Sequence, residues 1–232
     1  MSIIYINPYQ FAAASPTDPD FANVSLLLHG DGTNGSTTIV DSSPTPKTVT
    51  AVGNAQISTA QSKFGGSSLA FDGTGDYLSL PLDNQISFGS GEFTFEFWLF
   101  RNASSQSTIL DTRAIGENPD GQILFYVLSN GEVEVIVKGV TRLSGGSTTI
   151  NSWNHYALVR DSSNVVTGYI NGVSVGTWST SENFTLGSAP TIGSTVNNTF
   201  YLNGYIDDLR ITKGVARYTS NFTPPTAPFP DA

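Results

Sequence analysis

The stretch "EFTFEFWLFR", residues 92–101, decides the fold. Strand side chains alternate between two faces. Phe93, Phe95, Phe97 and Leu99 therefore share one face, and Glu92, Thr94, Glu96, Trp98 and Phe100 share the other. The first face is apolar throughout and belongs to a core. The second starts polar and ends aromatic, so its Trp98 end is buried or lines a concave surface. One apolar face and one graded face suit two antiparallel sheets packed face to face and curved into a jelly roll.

The flanking sequence agrees. From Val24 onward, short alternating runs such as "VSLLLH" (24–29), "SSLAF" (67–71), "GQILFYVL" (121–128), "EVEVIVK" (132–138) and "NHYALVR" (154–160) are separated by turn signals. That is the pattern of an all-β chain. "SNGE" (129–132) and "INGV" (170–173) place Asn-Gly between alternating runs, which predicts two hairpins closed by type I′ turns. No segment keeps a helical period over helix length. Residues 1–22 and 217–232 are rich in proline and read as extended arms around one domain, residues 23–216.

Composition narrows the function. Charged residues make up 12% of the 232, so Ser, Thr, Asn and Gly must cover the surface. The net charge is −9, and the ten Lys and Arg are scattered singly. Nucleic-acid binding and docking on anionic lipid both need clustered basic residues, so neither is expected. There is no cysteine, which removes disulfides, zinc-thiolate sites and thiol nucleophiles. The opening "MSIIYINPYQFAAASPTDPDF" has no basic n-region, and no run approaches the roughly 20 apolar residues of a membrane span. The sequence thus predicts a protein made soluble in the cytoplasm.

"NGYIDDLRITKG" (203–214) reads as a strand interrupted by two adjacent carboxylates. In simple alternation Asp207 shares the apolar face with Tyr205, Leu209 and Ile211, and an unpaired buried carboxylate is costly. Either it meets a metal, or backbone N–H groups or Arg210 satisfy it, or a bulge turns it towards solvent.

"SLAFDGTGDYLSL" (68–80), "FTFEFWLF" (93–100), "SWNHYALVRD" (152–161), "GYINGVSVG" (168–176) and "GYIDDLRITKGVARY" (204–218) follow one another in an order that resembles laminin-G-like, concanavalin-A-like jelly-roll domains. "LLLHGDGTNGSTTIVDSS" (26–43) completes the pattern, and "LLLHGDG" and "GVARYTSNFTPP" resemble versions in bacteriophage virion proteins. The resemblance implies a two-sheet jelly roll that binds carbohydrate or serves as an adhesive or spacer module. It also implies a structural Ca²⁺ between the first and last strands, with ligands at Asp31 or Asp41 and at Asp207.

Related folds include glycoside hydrolases with a Glu-x-Asp-x-Glu strand. Here Thr94 occupies the middle position, and Glu92 and Glu96 lie about 13 Å apart along the strand. That is too far for a retaining or inverting pair. His29 and His155 are the two histidines, and His155 in "WNHYALVR" looks structural. No phosphate loop, nucleophile elbow or zincin motif is present. A non-enzymatic protein is expected, in one of two classes. The first is a virion structural or decoration protein that docks other virion proteins, or copies of itself, through its arms. The second is a lectin-like module for host-surface or environmental glycans, with Trp98, Trp178, Tyr126 and Tyr201 as candidate stacking rings. Core packing is the competing role for Trp98 and Trp153.

Overall fold

The computed structural model describes residues 17–116 and 121–232. Residues 1–16, most of the expected N-terminal arm, lie outside the described residues. The described residues form sixteen strands in two antiparallel sheets, and their one helical element is a 3₁₀ turn, Phe21–Asn23. Numbered along the chain, the first sheet contains β1 (Val24–Leu28), β4 (Gln56–Ser58), β5 (Ser68–Asp72), β7 (Phe93–Arg101), β12 (Trp153–Arg160), β13 (Val165–Ile170), β14 (Val173–Ser179) and β16 (Asn203–Lys213). Its order is β14-β13-β12-β7-β16-β5-β4, with β1 also pairing on β16. The second sheet contains β2 (Thr38–Ile39), β3 (Val49–Val52), β6 (Tyr77–Ser79), β8 (Ser107–Asp111), β9 (Ile123–Val127), β10 (Val133–Val137), β11 (Val140–Gly145) and β15 (Thr191–Ile192). Its order is β11-β10-β9-β8-β15-β6-β3-β2. This is the expected all-β jelly-roll sandwich.

The core forms where the inner faces meet. Phe93, Phe95, Phe97 and Leu99 of β7 are all buried in it. Phe93 stacks on Phe88 with centroids 4.4 Å apart, and Phe97 stacks on Tyr156 at 5.4 Å. Phe125 from the opposite sheet meets Phe95 and Phe97 edge-on. Close-packed ring pairs of this kind add to area burial.

The two expected hairpins divide. Asn171 and Gly172 have φ of 50° and 77°, as a type I′ turn requires, and Ile170 pairs with Val173. In "SNGE" only Gly131 has positive φ, and the loop is closed by Leu128 N–H donating to the Glu132 carbonyl. A second two-residue turn, Lys138-Gly139, has both φ positive and joins β10 to β11. Its strand β11 was not legible in the sequence, because only Leu143 of its six residues is buried.

The doubled carboxylate is resolved by a β-bulge. Asp207 pairs with Trp98 and Arg210 with Glu96, so Asp208 and Leu209 together oppose Phe97. Asp208 has a φ of 49°, and the extra residue reverses the strand's parity. Ile206, Leu209 and Ile211 then all face the core, while Asp207 lies with Tyr205 on the outer face. The expectation that Asp207 shares the apolar face with Leu209 and Ile211 is corrected accordingly.

The C-terminal segment also departs from expectation. Residues 217–232 do not project as a docking arm but fold back as a strap along the first sheet. Phe222 N–H donates to the Gly172 carbonyl at 2.9 Å, and Phe222 packs edge-on against His155 and Tyr169. Phe229 is buried with Val24 and Leu27, and its N–H donates to Asp208 Oδ2 at 2.7 Å. Gly172 is needed twice, for its positive φ and because a Cβ there would overlap the Phe222 carbonyl oxygen.

Candidate functional site

The outer face of the first sheet falls into three zones set by what covers it. Under the strap lies a buried ionic cluster. Glu96, on the outer face of β7, is fully buried and accepts from Arg210 Nε and a terminal guanidinium nitrogen, and from the Tyr218 hydroxyl at 2.7 Å. His155 Nε2 lies 3.3 Å from its second oxygen. Arg210 also reaches Asp18, which Arg217 grips through two further hydrogen bonds. Burial alone would raise the Glu96 pKa, but the charge of Arg210, aided by His155 and Tyr218, pulls it down to about 2. Asp18 is likewise held low: burial raises it, but the Arg217 hydrogen bonds and charge outweigh that.

The middle zone is roofed by the segment before β5. Lys63 and Phe64 donate their N–H groups to Asp207 Oδ2 at 2.6 and 3.1 Å. The Phe64 ring meets Trp98 edge-on, and Lys63 Nζ sits 3.9 Å from the Trp98 ring centroid. Burial pushes the Asp207 pKa up to about 7, the two backbone donors opposing it and the charges of Asp208 and Asp31 adding to it. Beside it, His29 Nδ1 contacts Asp208 Oδ1 at 2.5 Å. Burial disfavours the imidazolium, but that hydrogen bond and charge raise the His29 pKa overall.

The third zone is left open by the described residues. Strand register aligns Trp153 with Phe100, Phe100 with Tyr205, Tyr205 with Ala70, and Ala70 with Gln56. Side chains directly opposite in antiparallel strands share a face. The row therefore crosses β12, β7, β16, β5 and β4 on the outer face, and every member is half-buried. Trp153 and Phe100 have centroids 5.6 Å apart at 59°, and Phe100 and Tyr205 6.0 Å apart at 74°. At the Tyr205 end the rings run into a groove of about 480 Å³, walled by Asn54, Gln56, Ser58, Asp72, Asn102 and Asn203. Asp76 sits in its floor, with both oxygens taken by the N–H groups of Asn54 and Asp72. An aromatic shelf ending in polar side chains can hold a ligand with apolar faces and hydroxyl edges.

The residues singled out from the sequence lie elsewhere. Trp98 is roofed by Lys63 and Phe64 and offers no stacking surface. Trp178, expected to be exposed, is half-buried on edge strand β14 and packs against the main core. Tyr126, on the outer face of the second sheet, is buried with Phe200 edge-on at 5.5 Å, and burial pushes its pKa up to about 12. Tyr201 is half-buried and is not part of the row.

The three proposed metal ligands do not form one site. Asp41 accepts from Leu27 N–H, Ser43 N–H, Ser43 Oγ and Lys47 N–H, so its lone pairs are already used in shaping its loop. Asp31 is exposed beside Gly65, and Asp207 is committed through one oxygen to the roof segment. Among the described residues no three His, Cys, Asp or Glu side chains gather into a metal-holding group. Calcium wants six to eight oxygens, and this donor set does not fit it.

The residues that do converge were visible singly, with Phe100 on the second face of β7 and Tyr205 beside the doubled aspartate. Only strand register shows that they and Trp153 form a line.

The fold has relatives among solved structures. The botulinum neurotoxin serotype D ligand-binding domain in complex with N-acetylneuraminic acid aligns over 84% of this chain and 49% of its own, with 17% identity and a TM-score of 0.62. The receptor-binding domain of the botulinum neurotoxin C/D mosaic aligns over 84% and 49%, with 17% identity and a TM-score of 0.61. A botulinum neurotoxin type C structure, described by cell entry dependent on two ganglioside molecules, gives the same coverage, identity and TM-score as the mosaic. This chain thus spans about half the length of those structures, and at such identity the likeness is one of fold. No curated protein sequence matches it significantly. The family model described as the concanavalin A-like lectin/glucanases superfamily, of laminin G type, matches residues 72–217. That match covers more than half of the chain, from the last residue of β5 to the start of the strap, and the protein belongs to this family.

Proposed function

We propose that the protein is a non-enzymatic carbohydrate-binding module serving as an adhesive part of a bacteriophage particle. The carbohydrate reading is carried by the open row Trp153–Phe100–Tyr205 and the polar groove it enters. Aromatic rings fixed by strand pairing lose little entropy on binding, and amide and hydroxyl groups at the end of the shelf fix orientation. The lectin-like family and the neurotoxin domain of the same fold in complex with N-acetylneuraminic acid agree with it.

The non-catalytic reading rests on carboxylate supply. Glu96 is locked to Arg210 under the strap, and Asp76 is saturated by backbone donors. Asp72 is then the one groove-lining carboxylate open to a ligand, and glycoside hydrolysis ordinarily takes two. The virion reading rests on the phage-like "LLLHGDG" and "GVARYTSNFTPP" segments, the second of which begins the strap.

The test is binding of labelled protein to candidate host bacteria before and after periodate oxidation of their surface sugars. Binding should disappear with oxidation and with Tyr205→Ala. Attachment that survives both would replace the carbohydrate reading with a protein receptor. Immunolabelling of purified phage particles checks the location, and particles without label would remove the virion role.

A further inference from the structure

We infer that the groove selects linear, uncharged oligosaccharides, rich in hydroxyl or N-acetyl groups, and rejects sugars carrying carboxylate or sulfate. This deepens the carbohydrate reading and rests on it.

Charge is the first reason. The groove-lining residues include Asp72 and Asp76 but no Lys or Arg. Asp72 is exposed at the rim. Arg101, next to Asn102, is buried and turned away, its terminal nitrogens donating to the Leu128 and Thr148 carbonyls. Lys63 belongs to the roofed zone, over Trp98. An anionic sugar entering the groove would meet a carboxylate without a compensating cation, on a protein of net charge −9.

The free hydrogen-bonding groups give the second reason. Asn102 Nδ2 donates to Asn203 Oδ1, and Asn54 Nδ2 to Asp72 Oδ2 at a long 3.4 Å. The Gln56 amide and the Tyr205 hydroxyl have no hydrogen-bond partner among the described residues, and the remaining amide atoms of Asn102 and Asn203 are also open. Primary amides both donate and accept without net charge, which suits hydroxyl and acetamido groups.

Length is the third. The row from Trp153 to Gln56 crosses five strands, a span of about 19 Å at ~4.8 Å per strand step. One strand step is close to the length of one pyranose unit. The successive rings are tilted against one another, so a linear chain meets alternating faces and edges rather than one flat stack.

The experiment uses the whole protein on a glycan array that pairs each neutral oligosaccharide with its sialylated or uronic-acid counterpart, over a ladder of chain lengths. Neutral members should bind, with affinity rising to about four units and then levelling. Acidic counterparts should bind at least about tenfold more weakly at about 20 mM salt, and the gap should narrow at about 300 mM. Asp72→Asn should narrow it too, by raising the binding of each acidic member relative to its neutral counterpart, and the fold should hold because an amide oxygen can still accept the Thr74 N–H that Asp72 holds at 2.7 Å. Acidic sugars bound as tightly as neutral ones, or binding that shifts to them without Asp72 mattering, would overturn the selectivity while leaving a lectin. No binding to any glycan by protein with a native melting transition would overturn the carbohydrate reading itself.

Discussion

Two parts of one sheet face meet opposite fates. The row through Trp153, Phe100 and Tyr205 stays open, whereas the row through Glu96 and Arg210, two strand repeats along β7, lies under the strap. Both are built on the same three central strands and both begin with residues a sequence reader would call strand-like. They differ in what the chain brings back over them. The strap carries Arg217, Tyr218 and Phe222 and closes a charge cluster that would be prohibitively costly if half-made. The open row has no charge to satisfy, and none of the described segments returns over it. On the proposed function, stability is concentrated at one end of the face and recognition at the other.

The largest effect should come from breaking the buried cluster. Arg210→Met leaves Glu96 and Asp18 without a central cation, and loss of one partner of a buried ionic group costs about 3–5 kcal/mol. Urea denaturation should show that loss. A cost below about 1 kcal/mol would mean that the cluster is not holding the strap.

Phe229→Ala tests the strap without touching charge. Emptying its site against Val24, Leu27 and the Arg210 guanidinium should cost about 3 kcal/mol and speed proteolytic removal of residues 217–232. Unchanged cleavage by a non-specific protease would show the strap to be anchored elsewhere.

The pH dependence separates the covered zones. Asp207, raised to about 7, and His29, raised above 6.5, each contribute stability present at low pH and lost as pH rises through the folded value. Glu96, lowered to about 2, contributes stability present above 4.5 and lost as pH falls towards 2. The melting temperature should therefore peak at about pH 4–4.5, fall by several degrees towards pH 8, and fall again as the pH drops towards 2. A curve still rising from pH 5 to 8 would contradict the burial of Asp207.

The open row should behave inversely. Tyr205→Ala and Phe100→Ala should weaken glycan binding by more than about tenfold, while each costs roughly 1 kcal/mol or less of stability for a half-exposed ring. Equal losses of binding and stability would make the row structural. The smallest effect is expected from calcium: melting in EDTA and in millimolar Ca²⁺ should agree to about 1 °C, since Asp41 is already saturated by protein donors. A shift of many degrees would place a cation between Asp31 and Asp207.

Much of the architecture was legible in local pattern. The alternation of "EFTFEFWLFR" gave the core face correctly because a sheet packed on one side imposes a period of two on any strand crossing it. The family resemblance rested on such strands and was met by the fold. The same rule misplaced Asp207, because one bulged residue at Asp208 inverts parity and leaves no mark in the hydrophobic pattern. Trp98 and Trp178 were read as candidate platforms from their neighbours in sequence, yet their exposure depends on segments 60–66 and on the inter-sheet core.

The sequence by itself determined the all-β class, the apolar face of β7, the Asn171-Gly172 turn and the shortage of cations that disfavours nucleic acid. These follow from side-chain periodicity, turn stereochemistry and net charge, all local or additive properties. Only the tertiary structure decided that Trp153, Phe100 and Tyr205 stand in one line, that Glu96 is neutralised by Arg210 under the strap, and that Asp41 is consumed by its own loop. The first two outcomes depend on register between strands far apart in the chain and on which segment returns to cover which row, and no window of sequence contains both partners; Ser43 and Lys47 do lie near Asp41 in sequence, but only the folded loop turns their N–H groups onto it.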